Sequence, residues 1–450
     1  MYNETICAIS TANGTGAISI VRLSGFDAIN IVNKIFKGKD LNKVKTHTIN
    51  YGHIFDKNEM LDEVVVSVFK SPKTYTKEDI VEINCHGGQY VTSKILELVI
   101  LNGARLAEPG EFTKRAFLNG RIDLTQAESV MDLIDAKTKN TLRMANFGLR
   151  GDIKNLISKF RRSILDCILK IEVNIDYPEY ESEEQITTEF LLPTIKNNII
   201  DINKIIEKSE NSILIKEGIT TAIIGKPNVG KSSILNALLR EDKAIVTDIA
   251  GTTRDIIEGK INVGGVILNL IDTAGIRETS DIVEKIGVEK AKKIINSASL
   301  IIIVFDFSTE LNENDNLILK LTENKNRIIV INKSDLPKKI NLEILGEYLL
   351  LSAFSEKDIN ILENKIREVT NLKNIDNKEA TYVTSIRAMT KLKFARDNLD
   401  NALVSVKNKM PIDIISIDLK AAWRALGEII GEVSSEELLD EMFANFCLGK

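Results

Sequence analysis

The chain has 450 residues, 44% of them hydrophobic, 27% charged and 5% aromatic, with a formal net charge of −5. That length suits about two to four globular domains with real cores, and the acidic balance excludes a chain-wide basic field for nucleic acid, so any RNA contact must come from a local patch or a partner. Cys7, Cys85, Cys167 and Cys447 are dispersed without a CxxC pair, the N-terminus carries no basic stretch, and the longest apolar run, Leu300 to Phe305, is too short for a bilayer; a reducing, cytoplasmic location is expected.

In chain order, Ala17 to Arg22 alternates like a strand and Phe26 to Phe36 has helical spacing. Glu63 to Phe69 and Asp79 to Asn84 read as further strands, and Val91 to Leu101 as a helix with Ile95, Leu98 and Val99 on one face. Turns are marked by His86-Gly87-Gly88 and Pro109-Gly110-Glu111-Phe112. From about Thr125 the pattern becomes helical. Ile153, Leu156, Ile157, Phe160, Ile164, Cys167, Ile168, Ile171 and Ile175 recur at steps of three and four, an apolar stripe on a long helix. Tyr177 to Glu184 breaks it with proline and acid, and Leu191, Ile195, Ile199, Ile202, Ile206 and Ile213 line a second helix. Strand–helix alternation then runs from Thr220 to about Leu372. Helical spacing returns with Ile386, Met389, Leu392, Leu399, Leu403 and Val406, continues from Ile412 to Ile430, and Ser434-Ser-Glu-Glu437 starts a last helix with a capping box. Long one-sided stripes need a partner surface. The two helical parts are therefore expected to pack together around an inserted strand–helix block. The fold class is α+β multidomain, divided as 1–118, 119–216, 217–372 and 373–450.

The inserted block carries the chemistry. Gly225-Lys-Pro-Asn-Val-Gly-Lys-Ser232 follows an apolar strand and opens a helix, which aims backbone N–H groups and a helix N-terminus at an anionic phosphate. Lys231 is expected at the terminal phosphates and Ser232 at Mg²⁺. Gly251-Thr252-Thr253-Arg254-Asp255 lies where a switch with a Mg²⁺-binding Thr belongs. Asp272-Thr273-Ala274-Gly275 ends a strand, placing a carboxylate for a water-bridged Mg²⁺ contact and the Gly275 N–H for the γ-phosphate. Asn332-Lys333-Ser334-Asp335 follows the strand Arg327 to Ile331. Asp335 offers two acceptors to the N1–H and exocyclic amine of guanine, a donor pair that adenine lacks. Ser352-Ala353-Phe354 is placed to cover the base. Together these segments describe a P-loop GTPase of Ras-like α/β fold.

Ile276 occupies the position where Ras-like enzymes carry a water-orienting Gln. Arg254, Arg277, Glu278 and Glu284 are nearby candidates for that work, although Arg254 and Arg277 read equally well as surface or switch residues in local ion pairs, and Glu284 by itself reads first as a favourable first-turn charge on a helix. Asn228 reads as a turn residue or as an amide oxygen for a cation beside the phosphates.

These segments, with Asp248 to Asp255, the helical flanks and the terminal Phe446-Cys447-Leu448-Gly449-Lys450, resemble the tRNA-modification GTPase family MnmE, also called TrmE. The resemblance covers the whole chain. It includes Gly14-Thr-Gly16, Val21-Arg-Leu-Ser-Gly25, Cys85-His-Gly-Gly88, Pro109-Gly-Glu-Phe-Thr113, Arg115-Ala-Phe-Leu118 and Asp123-Leu-Thr-Gln-Ala-Glu128. It implies an N-terminal folate-binding and dimerisation domain, a helical domain in two parts and an inserted GTPase domain. It implies GTP contacts at Asn228, Val229, Gly230, Lys231, Ser232 and Ser233, at Thr247, Asp248, Ile249, Ala250, Gly251, Thr252 and Thr253, and at the segments Asp272 to Gly275, Asn332, Lys333, Asp335 and Ser352 to Phe354. Mg²⁺ falls to Ser232 and Thr253, and K⁺ to Asn228, Thr247, Ile249 and Thr252, with Glu284 orienting water. Arg22, Glu82, Arg121 and Lys450 match the positions that hold a tetrahydrofolate one-carbon donor (formyl- or methylene-), and Cys447 matches a cysteine that takes part in the modification. The expected partners are a second copy, the flavin- and NADH-dependent protein MnmG in a heterotetramer or larger complex, and tRNA. Two other classes compete from the sequence, a ribosome-assembly GTPase and a GTP-binding switch that hydrolyses slowly.

Overall fold

A computed structural model describes residues 4–177, 186–239, 259–263, 266–271, 286–370, 383–432, 436–444, 446, 447 and 449. The chain forms two compact units, Met1–Met131 with Leu149–Thr187 and Asn408–Lys450, and Asp132–Gly148 with Thr188–Lys407.

The first unit is built on seven strands: β1 (Ile6–Ile9), β2 (Ile18–Ser24), β3 (Phe36–Lys37), β4 (Thr48–Asp56), β5 (Glu59–Phe69), β6 (Ile80–His86) and β7 (Arg105–Leu106). Their order is β3-β4-β5-β6-β2-β1-β7, antiparallel except for the β1–β7 pair. Helices α1 (Ala28–Ile35) and α2 (Gln89–Leu101) put Ile31, Val32, Ile95 and Val99 into one core with Val21, Leu23, Val66, Val81 and Ile83. Side chains alternate along a strand, so the residues between these core positions go to the opposite face. Arg22 thereby stands beside Glu82, which is beside Ser67, which is beside Ile49. The strand β4 has no clean alternation in the sequence because Gly52 interrupts it. A Cβ at Gly52 would lie 2.5 Å from the Lys37 carbonyl and from the Phe36 ring, so close packing with β3 favours glycine there.

Short helices α3 (Glu111–Leu118) and α4 (Leu124–Ile134) follow; α5 (Lys139–Leu149) belongs to the second unit, and the long α6 (Asp152–Asp176) returns to the first. Most of the stripe on α6 is buried from Ile153 to Ile171, while Leu156 is half-buried and Ile175 is 47% exposed. Its partner is α13 (Ile412–Ile430), where Trp423 lies 4.1 Å under the Arg161 guanidinium. The last helix of this unit, α14 (Glu436–Ala444), packs Leu439 and Phe443 with Leu124 and Ala127.

In the second unit α7 (Leu192–Glu217) leads into a six-stranded sheet of β8 (Ile219–Ile224), β9 (Gly259–Val263), β10 (Val266–Leu270), β11 (Leu300–Asp306), β12 (Arg327–Asn332) and β13 (Leu349–Leu350). The order β13-β12-β11-β8-β10-β9 is parallel except for β9. The helices described with it are α8 (Lys231–Leu238), α9 (Ile286–Ser297), α10 (Glu313–Leu321) and α11 (Glu356–Val369). Strand β11 is buried along its whole length, as expected of a central parallel strand. The chain leaves through α12 (Ile386–Lys407), which packs on α7. Helices from before the strand–helix block thus pair with helices from after it, α6 with α13 and α7 with α12, and the block is an insertion. Among the described residues no helix is long and apolar enough to cross a membrane.

Entry to and exit from the insertion are tied together. Lys216 on α7 pairs with Asp132 at 2.7 Å and also donates to the Thr384 carbonyl. The buried Ser209 hydroxyl accepts from the Val383 N–H at 2.9 Å and donates to the Ile205 carbonyl. Replacing Ser209 with Ala leaves a buried N–H without its acceptor, so this unit should lose about 1–3 kcal/mol. Urea unfolding followed in this unit checks it, and an unchanged midpoint would rule out the tie.

Candidate functional site

Strand β8 delivers the chain to Gly225, where φ is +155° and a Cβ would collide with the Val304 carbonyl of β11. Asn228 is exposed at φ +66° and Gly230 has φ +95°. Helix α8 begins at Lys231, with its N-terminal N–H groups directed at the loop. The Lys231 amine donates to the carbonyls of Gly225 at 2.9 Å and Lys226 at 2.6 Å. Burial pushes its pKa below the ordinary lysine value. An approaching phosphate would reverse that shift, since an anion favours the charged amine. Ser232 is exposed on the first turn and Ser233 is half-buried.

The guanine-motif residues arrive from β12. Asn332 is only 2% exposed. Its Nδ2 donates to the Val229 carbonyl at 2.9 Å and its Oδ1 accepts from the Ala353 N–H at 3.0 Å. A Cβ at Gly230 would collide with the same amide, so the loop and the side chain fit only with glycine there. One side chain therefore joins the phosphate loop, the end of β12 and the Ser352-Ala353-Phe354 segment. Lys333 takes φ +63° and donates to Asp306 Oδ2 at 2.5 Å. Burial alone would raise the Asp306 carboxyl, but hydrogen bonds from Lys333 and Ser308 outweigh it and hold the carboxyl below its usual value. Asp335 is exposed in the following turn. Ser352 is held through its N–H by Asp358 Oδ2 at 2.9 Å, while Phe354 is 89% exposed on the rim. A planar side chain so exposed beside Ala353 is available for stacking. Asn228, Val229, Gly230, Lys231, Ser232 and Ser233 thus share one loop and helix start, with Asn332, Lys333, Asp335, Ser352, Ala353 and Phe354 gathered beside them.

In the first unit Arg22 Nε donates to Glu82 Oε1 at 2.8 Å, with each side chain about one-fifth exposed (22% and 21%). Arg22 also lies 5.8 Å over the Phe112 ring and reaches the Gly449 carbonyl at 3.4 Å. Arg121 lies 4.6 Å over Tyr75, whose hydroxyl bonds Thr113 at 2.9 Å. Phe112 and Tyr75 belong to one small apolar cluster with Ile6, Ala8 and Ala107, so the two arginines flank the same cluster. The C-terminal segment is docked beside it. Ser10 Oγ donates to the Gly449 carbonyl at 3.2 Å, and the Gly110 N–H donates to the Cys447 carbonyl at 3.3 Å. Cys447 itself is exposed. Thr247, Asp248, Ile249, Ala250, Gly251, Thr252, Thr253, Asp272, Thr273, Ala274, Gly275, Glu284 and Lys450 lie outside the described residues.

Sequence reasoning missed Asp306, Ser10, Phe112 and Tyr75. Asp306 had a signal, a lone carboxylate closing the apolar run of β11; Ser10 and Tyr75 had none.

Sequence comparison gives two family matches, the GTP-binding protein TrmE N-terminus over residues 5–121 and the MnmE helical domain over residues 124–447. The chain is 52% identical over 460 residues to the tRNA modification GTPase MnmE of Ligilactobacillus salivarius, covering 99% of this chain and 98% of that one. It is 50% identical over 448 residues to the MnmE of Lactococcus lactis subsp. lactis, with 99% and 98% covered. It is 50% identical over 458 residues to that of Bacillus cytotoxicus, with both chains fully covered.

Replacing Asn332 with Ala removes both bonds and leaves a buried carbonyl and N–H unpaired, at about 1–3 kcal/mol each. Affinity for GDP should fall at least about tenfold with helix content unchanged by circular dichroism. Wild-type affinity would mean that the clamp does not shape the site.

Proposed function

The chain belongs to the MnmE family of tRNA modification GTPases, and from that premise we propose that it hydrolyses GTP to GDP and phosphate in a potassium-dependent way. With MnmG it adds a carboxymethylaminomethyl or aminomethyl group to C5 of the wobble uridine of certain tRNAs. The observation that carries the nucleotide half of this reading is the Asn332 amide, which brings phosphate loop, guanine motif and base-covering segment to one place.

In this reading residues 217–372 are the GTPase domain, 119–216 and 373–450 the helical domain, and 1–118 the folate-binding and dimerisation domain. Lys231 meets the phosphates, and Asp335 accepts from the N1–H and amine of guanine. Ser232, exposed on the first turn of α8, fits a Mg²⁺ ligand with Thr253. Asn228 fits a potassium ligand, since it is an exposed amide in the phosphate loop; Thr247, Ile249 and Thr252 complete the set. Potassium supplies positive charge beside the phosphates, the work of an arginine finger elsewhere. Glu284 takes the water-orienting role that Ile276 cannot fill.

The folate half rests on Arg22 and Glu82. The pair is reachable from solvent, and a guanidinium suits the carboxylates of a glutamyl tail while a carboxylate suits the pterin donor pair. Arg121 flanks the same apolar cluster, and the Gly449 carbonyl is docked on Arg22. Tetrahydrofolate supplies the one-carbon unit. Exposed Ile49, Tyr51 and Val65 extend the sheet face that carries Arg22 and Glu82, which supports a homodimer contact there. The protein works in the cytoplasm with its tRNA.

Hydrolysis measured in potassium against sodium tests the first half. Replacing the matched ion should slow turnover by on the order of a hundredfold, and equal rates in the two salts would remove Asn228 from the mechanism. For the second half, Arg22→Ala and Cys447→Ser should lose wobble modification while GTP hydrolysis persists. Modification retained by both variants would exclude the first-unit site.

A further inference from the structure

Lys226 is the second residue of the phosphate loop, and its side chain turns away to an ion pair with Asp315 in the first turn of α10. Asp315 is 2% exposed. It belongs to a capping box in which Asn312 Oδ1 accepts from the N–H groups of Asn314 and Asp315, and Asp315 Oδ2 accepts from the Asn312 N–H at 3.0 Å. Its Oδ1 is buried without a hydrogen bond. A cap alone does not need this arrangement, because a Glu or Gln at the same position completes a capping box, and a buried carboxylate without a counter-charge is costly. The Lys226 ammonium is that counter-charge. The backbone of Lys226 has a second task, since its carbonyl accepts from the Lys231 amine at 2.6 Å.

We propose that Asp315 is a positioning residue for the phosphate loop. Through the Lys226 side chain it fixes the loop's first turn on α10, and so fixes the Gly225 and Lys226 carbonyls that hold the Lys231 amine at the mouth of α8. The loop is then anchored on both flanks, by Asp315 near its start and by Asn332 near its end. Lys226 serves as a tether through its side chain. The inference rests on reading Gly225 to Ser232 as a nucleotide phosphate loop.

The test uses the full chain as wild type, Lys226→Gln, Asp315→Asn and the double variant, with affinity for GDP and GTP, the KM and kcat of hydrolysis, and the thermal midpoint without nucleotide. Asp315→Asn keeps an acceptor for the Asn312 N–H, and Lys226→Gln leaves the capping box of α10 in place, so a shared effect isolates the pair. Each single variant should weaken nucleotide binding about tenfold, the scale of a lost charge-assisted hydrogen bond. KM should rise more than kcat falls, the thermal midpoint of Lys226→Gln should drop because the Asp315 carboxylate loses its counter-charge, and the double variant should be no worse than the weaker single one. If Lys226→Gln binds like wild type, or if the two losses multiply in the double variant, the positioning role is overturned. A wild-type chain that binds neither GDP nor GTP would instead sink the phosphate-loop reading, and this inference with it.

Discussion

One buried amide holds the nucleotide half of this protein in shape. Asn332 meets a carbonyl 103 residues before it and an N–H 21 residues after it. Neither the phosphate loop nor the segment at Ser352 has regular structure of its own, and loop backbone groups away from water need partners. The amide supplies both partners at once, and its donor and acceptor ends are each specified, so it has one orientation. The glycine at position 230 follows from the same contact, because the loop approaches the amide too closely for a Cβ. The Gly-rich loop and the Ser352 segment therefore have a fixed spacing set by the end of β12, which is a rigid place to build from.

Charge is handled in the same way in both units: a half-buried cation rests on a fixed acceptor. Lys333 rests on Asp306, Lys231 on two carbonyls, and Arg22 on Glu82. In each case side-chain entropy is lost during folding, so less remains to be lost when a ligand arrives.

Much of the fold could be read from periodicity, and the reason is physical. Helices α6 and α7 repeat their apolar residues at the helical period over some seven turns, and such a repeat has one interpretation. The phosphate loop and the guanine motif were equally visible, because each is a local pattern. What stayed hidden was pairing across distance. Arg22 and Glu82 could each be matched to a family position, yet their ion pair is set by the β2–β6 register between residues 60 apart. Glu82 alone in an alternating strand looks like any solvent-facing acid. Tyr75 under Arg121 and Ser10 on Gly449 are likewise products of tertiary packing, and β4 escaped notice because its glycine answers to β3, not to its own strand.

The docking of Gly449 has a consequence for the order in which the protein is made. Its carbonyl is received by Ser10 and Arg22, 439 and 427 residues earlier. At φ +87° its Cα sits so close to β1 that a Cβ would lie 2.5 Å from the Ile9 carbonyl. Domains commonly fold as they leave the ribosome, the N-terminal one first. Here the first sheet to emerge cannot be finished when its own strands are complete. It must wait through the synthesis of the whole inserted domain for a segment that closes its surface. A chain cut short before Gly449 would leave Ser10 and Arg22 without that carbonyl.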